Sequence, residues 1–503
     1  MEAAALGRRR LSGGFGATGE RLLSQPSEEK SHDGARAVVR ILASSGAQVP
    51  DASQERVGGD IGDWLAGLCG RLQQRRARRH HLLVERVPAG EQEWIAHRRR
   101  RTSRGVGGLA TKGPILFEMV NSRLAPFGTT VFAEMSALAL ATGSVNLGQG
   151  FPEGPGPELL RRVATEAIWE GDNQYPPGTG VPELLEAVAA HQQAEYGLSY
   201  DPQAEVLATA GATEAVASAV LGLLEPGDEV LMLEPSYDSY GAVVAMAGAR
   251  RVPVSLAYDG RRWVLPEGAL EAAVSDKARM VLLNSPHNPT GKVLDEAELS
   301  DVAGTCRRHD LIAVTDEVYE HLVFDGRRHS PLATFEGMRE RTVTISSAGK
   351  SFSVTGWKVG WACAPPELLA GVRAAKQFLT YVTPAPLQRA VAAGLRATHE
   401  LVEPLVEELE QNRDLLVKGL SSAGFPVRDA EGTYFVTADI SGLTDEDAYT
   451  FCWRLPERCG VVAVPCSVFY SGPEGGRHLV RFAFCKRRES IEEAVERLGR
   501  LHW

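Results

Sequence analysis

Cysteine is sparse in this 503-residue chain: there are seven, an odd number, scattered and never spaced as Cys-x-x-Cys. That pattern excludes a disulfide framework and a zinc cage, and it points to free thiols in a reducing compartment, so a cytoplasmic location and no metal are expected. No apolar run approaches the roughly eighteen residues that a membrane span needs, so no membrane partner is expected. Internal repeats are missing. So is a phosphate-binding P-loop: Gly349, Lys350 and Ser351 spell its end, but Thr344 stands where its first glycine belongs. What remains, 44% hydrophobic and 23% charged residues, describes a globular chain with room for two or three domains and a sizeable core.

Lysine is nearly absent from the first 114 residues, which hold only two. That stretch carries 20 Lys and Arg against 12 Asp and Glu, a net +8, while the rest carries 34 against 52, a net −18. Its arginine clusters, "RLQQRRARRHH" and "HRRRRTSRGVGG", are separated by polar and glycine-rich stretches, and its one apolar run with helical promise is "IGDWLAGLCGRL". A basic tail for nucleic acid or an acidic partner is one reading and a transit peptide another, with the acidic residues weighing against the second. The expectation is a disordered extension over residues 1–118, too poor in apolar area to join a core, with Met119 as an alternative start.

From about residue 115 helical patterns alternate with short apolar runs: "ELLRRVATEAIWEG", "EVLATAGATEAVASAVLGLL", "DEVLMLEP", "RMVLLNSP", "LIAVTDEVYEHLVF", "RTVTISSAGK". Such alternation predicts βαβ units, hence an α/β fold with a mostly parallel sheet covered by helices. After about residue 385 a long helical segment, "HELVEPLVEELEQNRDLLVKGLSSAG", precedes strand-like "GTYFVTADI", "GVVAVP" and "HLVRFAF" and a last helix, which reads as a smaller α+β domain.

Ligands of parallel sheets collect at the carboxyl ends of strands, so the polar residues that end these runs are informative. "VLLNSPHNPTGK" ends in Asn284 and a turn that places Asn288 before a proline, disfavouring helix there. "LIAVTDEVY" ends in Asp316, with Tyr319 three residues on, and a carboxylate at the buried end of a core strand is costly unless it meets a cation. "SSAGKSFSVTGWK" places Lys350 just past the next run, with Lys358 beyond it. Each segment alone also reads blandly, as a turn, a helix cap or a surface lysine. Together Lys350, Asp316, Tyr319 and Asn288 are a suitable set for pyridoxal phosphate, which offers an aldehyde to an amine, a ring nitrogen to an acid and a phenolic oxygen to donors.

"NSPHNPTGK", "TDEVYEHLVFDG", "SSAGKSFSVTGWKVGW" and "HLVRFAFCK", in that order, resemble the class I aminotransferases of fold type I. The resemblance covers about residues 119–503 and is closest to the kynurenine/glutamine transaminase branch and, within it, the actinobacterial N-succinyldiaminopimelate aminotransferases. It implies a large cofactor domain over 161–385, a small C-terminal domain over 386–503, and a segment over 119–160 joining the small domain. It implies that Lys350 binds the cofactor aldehyde and moves the proton, that Asp316 keeps the ring nitrogen protonated, and that Asn288 and Tyr319 bond the phenolic oxygen. Gly211, Ala212 and Thr213 would hold the phosphate at a helix N-terminus, completed by Ser347 and Lys358, while the ring of Tyr237 would stack on the cofactor. Arg481 would clamp the substrate carboxylate, assisted by Gly150 and Asn288. Tyr175 would reach the phosphate of the neighbouring subunit, making a homodimer the active unit.

The implied reaction is transamination between an amino acid and a 2-oxo acid, with 2-oxoglutarate as acceptor and N-succinyl-LL-2,6-diaminopimelate as the favoured donor. Kynurenine, glutamine or methionine transamination and β-elimination from a cysteine conjugate are the alternatives. A transcription regulator built on the same fold would need a patterned helix-turn-helix in the extension; only the "IGDWLAGLCGRLQQRRARRHH" segment comes near one, so nucleic acid is not an expected partner.

Overall fold

The computed structural model describes residues 121–503 apart from Thr129 and Pro473. The expectations of disorder over residues 1–118 and of a start at Met119 lie outside the described residues.

Seven strands build the larger sheet: β1 (Val206–Thr209), β2 (Glu229–Glu234), β3 (Arg250–Ser255), β4 (Ala278–Asn284), β5 (Ile312–Asp316), β6 (Thr342–Ser347) and β7 (Gly360–Cys363). In space they follow the order β1-β7-β6-β5-β4-β2-β3. Strand β7 runs antiparallel to both neighbours and every other pair is parallel. The α/β expectation holds, and the near-continuous apolar runs have a physical reason: helices cover both faces of a parallel sheet, so both faces of each strand are buried. Strands β2 and β6 are buried at every position, whereas the edge strand β3 is largely exposed and carries Arg250 and Arg251, a charged rim that discourages further pairing.

Register brings the strand ends together. Asn284 at the end of β4 pairs with Asp316 at the end of β5, and Asp316 with Ile345 of β6. Thr209 at the end of β1 and Ser347 at the end of β6 both pair with Gly360 of β7. Beyond β1 the chain turns at Gly211 into helix α1 (Ala212–Leu223). Beyond β6 it forms the one-turn helix α2 (Ala348–Ser351), which carries Lys350, then a 3-10 turn over Thr355–Trp357, and returns as β7.

A second sheet is antiparallel, in the order β8 (Val427–Arg428), β9 (Phe435–Asp439), β11 (Leu479–Ala483), β10 (Val464–Pro465). Helix α3 (Thr398–Ser422) packs with the last helix, Arg488–Leu498, over this sheet, while the helix Ala385–Arg396 packs instead on Glu158–Glu170 and Pro182–Tyr196. The helical layer of the smaller sheet therefore begins at Thr398. Val145–Asn146 pairs in parallel with Val461–Val462, which ties the N-terminal part of the described chain to this region. One buried apolar cluster runs from Leu231 and Leu283 of the larger sheet to Val436 and Val480 of the smaller, so both sheets share a core. Among the described residues no helix is long and apolar enough to cross a membrane.

Candidate active site

A cavity of about 320 Å³ opens at the carboxyl edge of the larger sheet. Gly150, Gly211, Ala212, Thr213, Tyr237, Asn288, Asp316, Tyr319, Ser347, Lys350, Lys358 and Arg481 all line it, although they come from both sheets and from widely separated stretches of chain. Tyr175 does not: it is 80% exposed, its ring edge-on to Tyr381 at 5.5 Å.

Lys350 reaches the cavity from α2, and its Nζ donates to the Tyr434 hydroxyl at 2.8 Å. Enclosure of the amine lowers its pKa to about 8; Lys358 and Arg481 push the same way and Asp316 opposes them. An amine in that range is partly neutral near physiological pH, as a nucleophile or proton acceptor must be.

Asp316 is buried at the end of β5. Its Oδ2 accepts from the Tyr240 hydroxyl at 2.7 Å and its Oδ1 from the Val318 N–H at 3.4 Å. The cation that sequence reasoning demands is not what bonds it here; a phenol is. Burial raises this carboxyl to about 6, with the Tyr240 bond opposing the rise. Its acceptor capacity is only partly used, so it is suited to hold a further proton donor in the cavity. Asn284 organises the neighbourhood: its amide donates to the Asp316 main-chain carbonyl at 2.7 Å, and its oxygen accepts from the Asn288 N–H at 2.7 Å.

One end of the cavity is built for an anion. Gly211 has a φ of +77°, and a Cβ there would lie 3.0 Å from Lys358 Nζ. A Cβ on Gly360 would meet the Gly211 carbonyl carbon at 2.7 Å, so this cradle exists only because two backbones approach without side chains. The first-turn N–H groups of α1, at Ala212 and Thr213, have no acceptor within the helix, and the helix dipole adds positive potential. Ser347 and Lys358 complete the rim. Lys358 holds a left-handed backbone, φ +54°, uncommon for a residue with a side chain.

The other end is cationic through Arg481. This residue sits in mid-strand on β11, paired with Thr437 and Val464, and is 1% exposed. One guanidinium nitrogen donates to Asn288 Oδ1 at 2.7 Å and another to the Gly148 carbonyl at 3.1 Å. The group lies 3.9 Å from the centre of the Phe435 ring, with Phe469 at 5.0 Å and Phe132 at 5.2 Å. Its bonded partners are neutral, so a carboxylate entering the cavity would meet a desolvated, unneutralised guanidinium. Gly150 does not bond Arg481; its carbonyl accepts from Tyr434 at 2.7 Å instead. Tyr319 is buried with its ring edge-on to Tyr434 at 5.2 Å, and Tyr237 stands at the start of the helix Asp238–Ala247, its ring edge-on to Tyr240 at 5.7 Å.

Sequence reasoning missed Tyr240 and Tyr434. Tyr434 lies in the strand-like "GTYFVTADI" and Tyr240 three residues past Tyr237, where an aromatic residue reads as core. Near α2, His191, Glu320 and His321 stand close enough to suit a metal, but the two imidazoles bond each other directly, Nε2 to Nε2 at 2.9 Å, and His321 also bonds Ser351 at 2.7 Å. This cluster is a hydrogen-bonded brace beneath the lysine turn.

Residues 142–498 match the family described as aminotransferase class I and II. Over 390 residues the chain is 54% identical to the probable N-succinyldiaminopimelate aminotransferase DapC of Mycobacterium tuberculosis, covering 76% of this chain and 98% of that protein. It is 37% identical to the methionine aminotransferase of Escherichia coli over 380 residues, again 76% of this chain and 98% of that one. The solved structure of the Mycobacterium tuberculosis N-succinyldiaminopimelate aminotransferase superposes with a TM-score of 0.74 at 55% identity, over 76% of this chain and 99% of that chain. The chain belongs to the class I and II aminotransferases, and it is a transaminase of fold type I.

Proposed function

We propose that the cavity binds pyridoxal phosphate and that the enzyme moves an amino group from N-succinyl-LL-2,6-diaminopimelate to 2-oxoglutarate. The observation that carries the cofactor reading is the convergence in one cavity of an amine of lowered pKa, a buried carboxyl and a glycine-built anion cradle, at Lys350, Asp316 and Gly211. Bound there, the cofactor supplies an aldehyde and a cationic ring able to take up negative charge from the substrate α-carbon. The chain's own residues do the rest. Lys350 holds the aldehyde carbon and, once freed, carries the proton from the substrate α-carbon. Asp316 keeps a proton on the ring nitrogen, and Tyr240 keeps Asp316 ionised by donating to it. Asn288 and Tyr319 donate to the phenolic oxygen. Gly211, Ala212, Thr213, Ser347 and Lys358 hold the phosphate, and Tyr237 packs on the ring. Arg481 takes the α-carboxylate, aimed by Asn288 and the Gly148 carbonyl.

The active unit in this reading is a cytoplasmic homodimer in which Tyr175 serves the neighbouring site. Its supports are the exposure of Tyr175 (80%) and Phe378 (84%), apolar surface that a second copy would cover, and the free state of the six cysteines among the described residues. The domain reading, which sets its boundary at 385/386, moves to about residue 397, because the helix Ala385–Arg396 packs with Glu158–Glu170 and Pro182–Tyr196 on the cofactor side. The described part of residues 119–160 joins the smaller domain.

The donor assignment rests on the mycobacterial relative at 54% identity, against 37% for the methionine enzyme and 36% for mouse kynurenine--oxoglutarate transaminase 3. A panel of donors with 2-oxoglutarate, read as glutamate formed, tests it. The succinylated diamino acid should give the highest kcat/KM. A higher value for methionine, glutamine or kynurenine would overturn the substrate, and pyruvate release from a cysteine conjugate outrunning amino transfer would make the enzyme a β-lyase.

A further inference from the structure

Tyr434 is the last residue before β9, buried to 1% exposure, and its hydroxyl meets the Gly150 carbonyl and Lys350 Nζ, with the Tyr319 hydroxyl also within hydrogen-bonding reach. It donates to the Gly150 carbonyl at 2.7 Å and accepts from Lys350 Nζ at 2.8 Å. A phenol has one proton. With that proton committed to a carbonyl, which can only accept, the oxygen meets the lysine through a lone pair. The lysine must therefore spend an N–H on Tyr434 whether it is charged or neutral, and a neutral amine so held turns its own lone pair away from the phenol. The ring has no freedom to swing: Tyr319 meets it edge-on at 5.2 Å and Phe435 at 4.8 Å.

The contact also connects two ends of the site. Phe435, the next residue, lies under the Arg481 guanidinium at 3.9 Å, and Arg481 in turn bonds the Gly148 carbonyl at 3.1 Å, two residues before Gly150. The segment 148–150 thus touches Arg481 at one residue and the Lys350–Tyr434 pair at another.

We propose that Tyr434 is a positioning residue for transamination: its hydroxyl parks the Lys350 amine, orients its lone pair, and fixes it relative to the Arg481 carboxylate receptor through the Gly148–Gly150 segment. The inference rests on the assignment of Lys350 as the proton-transfer group. It adds that the alignment of that group is supplied by a residue of the smaller sheet.

The test is Tyr434→Phe, which keeps the ring and removes the hydroxyl. In cofactor-free protein, labelling of Lys350 by cyanate, followed by peptide mass against pH, should show the midpoint moving down by about one pH unit, because a hydrogen-bond acceptor of the charged amine is gone. In the loaded enzyme kcat should fall by about ten- to hundredfold with little change in KM. The deuterium isotope effect at the substrate α-carbon should rise, since proton transfer becomes slower than the other steps. An unchanged labelling midpoint together with an unchanged isotope effect would overturn the proposal. If Tyr434→Phe does not fold, Tyr434→Met, which fills the site without a hydroxyl, carries the same labelling measurement. Lys350→Ala separates the two readings: an active Lys350→Ala protein sinks the role of the lysine, whereas an inactive one beside an unaltered Tyr434→Phe sinks only the role of the tyrosine.

Discussion

The two sheets contribute to the cavity in different ways. The larger, mostly parallel sheet offers groups at strand ends, where Asn284, Asp316 and the Lys350 turn leave the core and α1 presents free N–H groups. The smaller, antiparallel sheet offers a face: Arg481 lies in mid-strand with hydrogen-bonded neighbours on both sides, and Phe435 lies beneath it. A strand end tolerates a change of loop, because the residues beyond it are held by turns and caps. A mid-strand group is held by register, and shifting it by one residue would send the guanidinium to the opposite face. The cofactor side of the site is thus built from replaceable turns and the substrate side from a locked lattice.

The comparison breaks most visibly at Lys350. Replacement by alanine should lower amino transfer by at least about 10² to 10⁴, the range of a lost acid-base group, while thermal melting of the protein changes little; activity near the parent's would remove the lysine from the chemistry. Arg481→Lys comes next. The ammonium keeps the charge but cannot span Asn288 and the Gly148 carbonyl while gripping a carboxylate, so KM for the amino acid should rise by about 10²-fold with a smaller fall in kcat. The same variant also tests the locked lattice, because loss of packing against Phe435 should lower the melting temperature, which Lys350→Ala should not.

A smaller effect sharpens the picture of the strand ends. Tyr240 donates to Asp316 and so favours its ionised form; Tyr240→Phe should raise the Asp316 pKa above its value of about 6 in cofactor-free protein. The infrared carboxyl stretch of Asp316 against pH would report it, and turnover should fall by about tenfold or less. The sign for stability follows. A carboxyl whose folded pKa lies above its ordinary 3.8 binds its proton more tightly folded than unfolded, so it stabilises the fold most at low pH. That advantage is lost as pH rises from about 4 to about 6. Asp316→Asn should remove this part of the pH dependence of melting in the cofactor-free protein.

Much of the larger sheet was legible because burial on both faces writes itself as unbroken apolar runs, and the polar residue that ends such a run is conspicuous. Asn284 with the turn at Asn288, Asp316 and Lys350 stood out for that reason, whereas Arg481 entered through the resemblance to the family. Tyr240 and Tyr434 were not legible. Each is a buried aromatic in a helix or beside a strand, and its hydroxyl partner lies 76 or 84 residues away in the chain, so no local pattern marks it. Tyr175 stood out only through the resemblance; in the fold it is an exposed ring whose use depends on a second copy.

The excursion between β6 and β7 holds a last consequence. Its ends are zipped by the pairing of Ser347 with Gly360, and between them it carries both Lys350 and Lys358. Because the two strands are neighbours in sequence as well as in space, this hairpin-like unit needs little chain entropy to close, whereas Asp316, Asn288 and Arg481 must be gathered from distant parts of the chain. One short excursion thus carries both the amine of the site and a cation of its anion cradle, so an insertion or deletion between Ser347 and Gly360 would displace both ends of that half of the cavity together.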